Sequence, residues 1–251
     1  MCSNFKLFDA LIQPVASYGC QVWLPSTGLY KLFNDQRQNK EKANIIAKDP
    51  VENLHLSFLK WTMNVNKTTS NAAVWGDCGR VPLAITMSKQ VYNYKETLEQ
   101  MDDENVHSLA RHAFKEQKDL KLSWFKNLEE AKNYLESAEH RTLKRPSQIR
   151  SAMKRWFLNI WQEDRATNRK LTFYNSIKHE FEVESYLNLD LKGSDIKRIA
   201  QLRTISTNLT SKLGDMESTV KSFATGSACT ARLTTLKHLT SSWNFHFQTQ
   251  S

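Results

Sequence analysis

Apolar side chains in this chain recur at steps of three and four, and no segment alternates convincingly at a step of two. Phe5, Phe8, Ile12, Val15, Tyr18 and Val22 fall on one helical face. Leu7 and Leu11 add a second strip, which predicts a helix over 5–23 buried on two sides. Pro14 should bend it, because proline removes a backbone donor and crowds the preceding turn. Leu24-Pro25-Ser26-Thr27-Gly28 ends it, and the polar segment 34–48 reads as an exposed helix or loop. Asp49-Pro50-Val51-Glu52 is a helix start: Asp49 caps, Pro50 suits the first position, and Glu52 complements the first turn. Val51, Leu54, Phe58, Trp61 and Val65 form its expected buried face. After a connection over 68–83, a helix begins at Val81-Pro82-Leu83 and runs to Met101. Further helices are expected over 104–118, 121–139, 147–163, 169–187 and 194–213, the last capped by Ser194. With only 7 glycines and 5 prolines in 251 residues to interrupt them, these segments predict an all-α, multi-helix bundle.

His140 to Pro146 (HRTLKRP) carries three basic residues and a helix-resetting proline. It is the expected boundary between a first helical domain, 1–140, and a basic helical region, 141–214. Beyond Gly214 the periodicity fades, and 18 of the 48 residues from Thr204 onward are Ser or Thr. A poorly ordered tail over 215–251 is expected, with one short helix near 232–240. No apolar run approaches the ~18 residues that span a bilayer, and the first residues make a poor signal peptide. Cys2, Cys20, Cys78 and Cys229 are far apart and form no CxxC pair. Reduced thiols in an intracellular protein, nuclear or cytoplasmic and not secreted, are the expectation.

The net charge of +9 is unevenly spread: from Arg141 to Arg203 there are 14 Lys and Arg against 7 Asp and Glu. Such an excess attracts a polyanion and neutralises phosphates. Arg141, Lys144 and Arg145 lie in the expected boundary turn. Arg150, Lys154 and Arg155 edge the next helix, and Arg165, Arg169 and Lys170 continue the run. Lys197, Arg198 and Arg203 are weaker candidates, because Asp195 offsets part of their charge. On the same helix Met153, Trp156, Phe157, Ile160 and Trp161 make a stripe that reads as core. The alternative is an exposed tryptophan stacked on a nucleobase.

Enzymatic chemistry finds no foothold. GxSxG, HExxH, P-loop and GxGxxG patterns are all missing. His107 and His112 are five apart and do not share a helix face. Cys78 has no base near it in sequence. Asp102-Asp103 reads as a polar helix end, and Cys229, His238 and His246 lack zinc spacing. No catalytic residue, metal, cofactor or small-molecule substrate is indicated.

The connection itself reads TTSNAAVWGDCGRVPL. Asn71 suits a turn, Gly76 and Gly79 can take positive φ, and Trp75 reads as a plug between helices. Arg80, beside Gly79, is the residue of this elbow best placed to reach a phosphate. Three segments in order, LFDALIQPVASYGCQVW, VENLHLSFLKWTMNV and this elbow, resemble the C-terminal part of reverse transcriptases from non-LTR, LINE-like retrotransposons. Leu7, Phe8, Leu11, Pro14, Tyr18, Gly19, Val22 and Trp23 match that family's helix after the palm. Thr69, Asn71, Ala73, Val74, Gly76, Gly79, Arg80, Pro82 and Leu83 match its elbow. The resemblance covers about residues 5–214, and two departures mark it: the palm's catalytic aspartate pair and the terminal Cys/His knuckle are both missing.

The resemblance implies a thumb-like helical domain over 1–140 and a post-thumb helical region after it. It implies a non-catalytic, sequence-independent grip on RNA or an RNA–DNA duplex, with a palm and fingers domain encoded upstream as a partner. Arg80, Arg141, Lys144, Arg145, Arg150, Lys154, Arg155, Arg165, Arg169 and Lys170 are the expected phosphate contacts. The alternatives are a helical protein-interaction module and a decayed element product with no nucleic-acid role.

Overall fold

The computed structural model describes residues 2–101, 109–189 and 191–204. The N-terminal segment is α1 (Cys2–Leu7), a π-helical turn (Phe8–Ile12), α2 (Gln13–Ser17) and α3 (Cys20–Trp23). Next come α4 (Gly28–Lys31), α5 (Asn39–Lys48), α6 (Pro50–Thr62) and α7 (Asn71–Cys78). The long helices are α8 (Leu83–Gln100), α9 (Leu109–Asp119), α10 (Ser123–Glu139) and α11 (Pro146–Thr167). Short α12 (Thr172–Ile177), α13 (Ser185–Asn188) and then α14 (Gly193–Thr204) close the described chain. The fold is all-α, and no strand occurs among the described residues. The expected Ser/Thr-rich tail over 215–251, its short helix, residues 104–108 and the reach of the last helix beyond 204 lie outside the described residues.

Helix starts follow the local chemistry. Asp49 Oδ1 accepts the Val51 N–H at 3.0 Å, ahead of Pro50. Pro82 and Pro146 stand at the starts of α8 and α11. α11 packs along α8 and α5, while α10 lies against α9, α11 and the short turns after α3. The expected division at residue 140 does not separate two cores. Met1–Ser206 form one compact unit, because α11 carries its apolar stripe into the same core as α5, α7 and α8. Met153, Trp156, Phe157, Ile160 and Trp161 are all buried, as the stripe predicts, which leaves none of these tryptophans exposed for stacking.

The first helix departs from expectation in two ways. It is broken at Gly19, which adopts φ +64°, and a π-helical turn immediately precedes Pro14. There the Gln13 N–H bonds the Phe8 carbonyl, one residue further back than in an α-helix, which relaxes the turn where the proline ring crowds it. Burial is also one-sided. Phe5 and Phe8 are buried, whereas Leu7, Leu11, Val15, Tyr18 and Val22 form an exposed apolar stripe, Tyr18 at 88%.

α6 is turned by about one residue, roughly 100°, from the expected face. Glu52, His55, Leu56, Leu59 and Thr62 point inward, while Leu54 and Trp61 are exposed at 51% and 69%. Glu52 is the cause. Its carboxylate accepts the Trp75 indole N–H at 2.8 Å and the Leu83 N–H at 2.8 Å, two donors that the elbow cannot otherwise satisfy. Segment 34–48, expected to be exposed, buries Lys42, Ala43 and Ile46 of α5. The expected helix over 169–187 is instead a 3-10 turn, α12, an irregular stretch and α13.

The elbow is itself a helix. Every residue of α7 from Ala72 to Cys78 is buried. Trp75 meets Phe157 edge-on, ring centres 5.3 Å apart, so it does plug the helix junction. Gly76 is helical and does not take positive φ. It allows close approach instead: a Cβ there would lie 2.4 Å from Tyr174 Oη and 2.8 Å from Trp161 Cζ2. Gly79 takes φ +59° as expected and ends α7, with the Val183 backbone pressed against it.

Candidate nucleic-acid interface

The elbow aims Arg80 into a cleft of about 820 Å³ walled by α8, the first turns of α11, α6 and the N-terminal segment. α11 contributes Arg150 and Lys154, one helical turn apart, and α8 contributes Lys89. These four cations face a single carboxylate, Asp9. The two helices that supply Lys89, Arg150 and Lys154 start at a proline and pack along each other, whereas Arg80 comes from the connection between α7 and α8. Thr86, Ser147 and Ser151 add hydroxyls to the lining.

Arg80 is already engaged. Its guanidinium grips Asp9 in a two-pronged ion pair at 2.7 and 2.6 Å and lies 4.9 Å from the Phe5 ring centre. Asp9 sits in the π-helical turn, so the departure from α geometry occurs where the one acid that lines the cleft among the described residues is held. Lys89, Arg150 and Lys154 form no ion pair among the described residues, and all three are exposed. Charges in this arrangement repel one another unless an anion lies between them.

The other predicted cations lie elsewhere. Arg141 and Arg155 share Glu139, Arg141 at 2.7 Å and Arg155 Nε at 2.7 Å, and their hydrogen bonds hold its carboxyl below the usual range against the effect of burial. Lys144 and Arg145 are exposed in the α10–α11 turn, where Gln148 Oε1 accepts both backbone N–H groups at 3.0 Å. Arg165 donates to the Lys178 carbonyl and lies 4.5 Å from the Trp161 ring centre, and burial lowers its pKa. Arg169 and Lys170 are exposed on the 3-10 turn after α11. From Arg150 to Arg165 is roughly 22 Å along the helix, so these three stand at its far end. Lys197 and Arg198 belong to α14, where Arg198 is exposed. The basic run is therefore divided among separate sets, of which Arg150 and Lys154 line the cleft, and is not one continuous groove over 141–203.

Arg203 is not a surface candidate at all. It is 6% exposed and is bonded to Asp77 at 3.1 and 3.2 Å and to Glu184 at 2.8 Å. Burial opposes its charge, but the two carboxylates outweigh burial and raise its pKa. Tyr186 donates its hydroxyl to Asp77 at 2.8 Å. This network locks α14 and α13 onto α7.

Two residues of the cleft were not singled out from sequence. Lys89 lies outside the basic run, and no local pattern marks it. His55 stands apart from any histidine or cysteine pattern, and the i,i+3 spacing Glu52-x-x-His55 is the signal the sequence offers. Its Nδ1 lies 3.1 and 3.3 Å from the two Glu52 oxygens. Cys78, also in the cleft wall, donates to Met63 Sδ at 3.4 Å, and burial and neighbouring Asp77 push its thiol far up, which removes nucleophilic character. No cluster of three metal-ligating side chains occurs among the described residues, and Asp102-Asp103 lies outside them. No described helix is long and apolar enough to cross a membrane. Comparison of the chain with protein-family models, curated proteins and solved structures yields no match.

Proposed function

We propose that this chain is a non-catalytic helical piece related to the thumb and post-thumb region of a non-LTR retrotransposon reverse transcriptase. It grips RNA or an RNA–DNA duplex through backbone phosphates, without reading sequence. The cleft carries this reading: Arg80, Lys89, Arg150 and Lys154 converge on about 820 Å³ with one opposing carboxylate. Spaced cations on rigid helices contact phosphates and fix register, while base edges go unread. The exposed stripe Leu7, Leu11, Val15, Tyr18 and Val22 supports a palm and fingers domain as the covering partner. The setting is nuclear or cytoplasmic.

Fluorescence anisotropy with an RNA–DNA hybrid at low salt tests the grip. Micromolar affinity that weakens in Arg150→Gln and Lys154→Gln is expected; no binding at low salt overturns it. The same apolar stripe, with Leu54 and Trp61, favours one other reading, a protein-interaction module. That reading predicts pull-downs whose protein partners persist after nuclease treatment.

A further inference from the structure

An acid in a groove that grips phosphates repels what the groove attracts, so the place of Asp9 in the cleft wall calls for a physical reason. Its ion pair with Arg80 uses one hydrogen bond on each carboxylate oxygen, at 2.7 and 2.6 Å. Each oxygen of an ionised carboxylate can accept two. No other donor reaches Asp9 among the described residues, and its side chain is 45% exposed. The Arg80 guanidinium lies 4.9 and 6.0 Å from the ring centres of Phe5 and Phe8. A packed partner therefore holds the carboxylate in place, and acceptor sites on it stay accessible.

A strand that fills the cleft displaces water from Asp9, and a carboxylate stripped of donors costs free energy. The strand must therefore bring a donor. Phosphate oxygens and the sugar ring oxygen only accept. In a paired duplex the base N–H groups are largely engaged, and a DNA backbone offers no donor along its length. The ribose 2′-hydroxyl donates, and it lies on the backbone between successive phosphates. Lys89, Arg150 and Lys154, which would hold those phosphates, line the same cleft as Asp9. We propose that Asp9 accepts a hydrogen bond from a ribose 2′-hydroxyl, so that the cleft selects an RNA strand over a DNA strand. Asp9 then steadies Arg80 and disfavours a strand that lacks the hydroxyl. This rests on the reading of the cleft as a phosphate-binding site.

The test uses the full chain and two hybrid duplexes of one sequence. In one the RNA strand is unmodified; in the other each 2′-hydroxyl is replaced by fluorine, which keeps the A-form shape and removes the donor. Wild type should bind the unmodified hybrid about ten-fold tighter, the lower end for one hydrogen bond to a charged group. Asp9→Ala removes both the acceptor and its repulsion. It should bind the fluorinated hybrid more tightly than wild type does, and treat the two hybrids alike. Asp9→Asn, which keeps an acceptor without the charge, should show a smaller preference than wild type and decides the point if Asp9→Ala fails to fold. If wild type binds both equally while Arg150→Gln weakens both, the Asp9 contact is wrong and the cleft stands. A preference that survives undiminished in the Asp9 variants would also overturn the contact, by placing the hydroxyl elsewhere. If neither hybrid binds, or Arg150→Gln changes nothing, the cleft reading falls and the Asp9 contact with it.

Discussion

Glu52→Gln isolates the interaction that orients α6. The carboxylate is 1% exposed and takes three donors: Trp75 Nε1 at 2.8 Å, the Leu83 N–H at 2.8 Å and His55 Nδ1 at 3.1 Å. Glutamine keeps the shape but turns one oxygen into an NH₂ group. Placed either way, that group faces the Trp75 or the Leu83 N–H. His55 can move its proton to Nε2 and adapt, whereas an indole and a backbone amide cannot. One orphaned buried N–H costs about 1–3 kcal/mol, and the remaining bonds lose charge assistance worth about 1 kcal/mol. The expected loss is about 2–4 kcal/mol, or about 4–16 °C in Tm for a folded unit of this size. Thermal unfolding followed by circular dichroism measures it, with Glu139→Gln as the surface control, expected below about 1 kcal/mol. A Glu52→Gln protein melting within about 2 °C of wild type would refute the three-donor cradle and the explanation of the turned helix.

Three further outcomes follow from the packing. Arg203→Ala leaves Asp77 buried without its cation and should cost about 3–5 kcal/mol in urea unfolding; a loss no larger than that of Arg155→Ala would contradict the buried network. Gly76→Ala places a Cβ 2.4 Å from Tyr174 Oη and should destabilise by about 1–3 kcal/mol through overpacking; an unchanged melting curve would contradict the close approach. Cys20 and Cys78 are buried, and burial raises both thiol pKa values. Alkylation mapped by mass spectrometry should therefore leave both intact in the native protein even near pH 8.5, and modify both in denaturant.

Helix starts were legible because they depend on neighbours in sequence: Asp49 before Pro50, Pro82, and Pro146. The core stripe of α11 was legible because its periodicity is long and aromatic. The inward face of α6 was not, because a buried Glu52 looks like a surface residue until its donors, Trp75 and Leu83, arrive from the next helices. The first segment departs from its pattern for the opposite reason. Its apolar residues promise burial on two sides, and among the described residues only one side is covered. Within the candidate site, charge density pointed to Arg150 and Lys154 and the elbow pointed to Arg80. Lys89 joins them only through the packing of α8 on α11. Arg203 fell out of the set because its two carboxylates, Asp77 and Glu184, are distant in sequence.

The most direct test of the central claim is the slope of log Kd against log salt for an RNA–DNA hybrid. Engagement of four cleft cations predicts a slope of magnitude about 3–4, reduced by about 2 in the Arg150→Gln, Lys154→Gln double variant. A slope that the double variant leaves unchanged, while Arg169→Gln with Lys170→Gln reduces it, would place the contact elsewhere and contradict the claim.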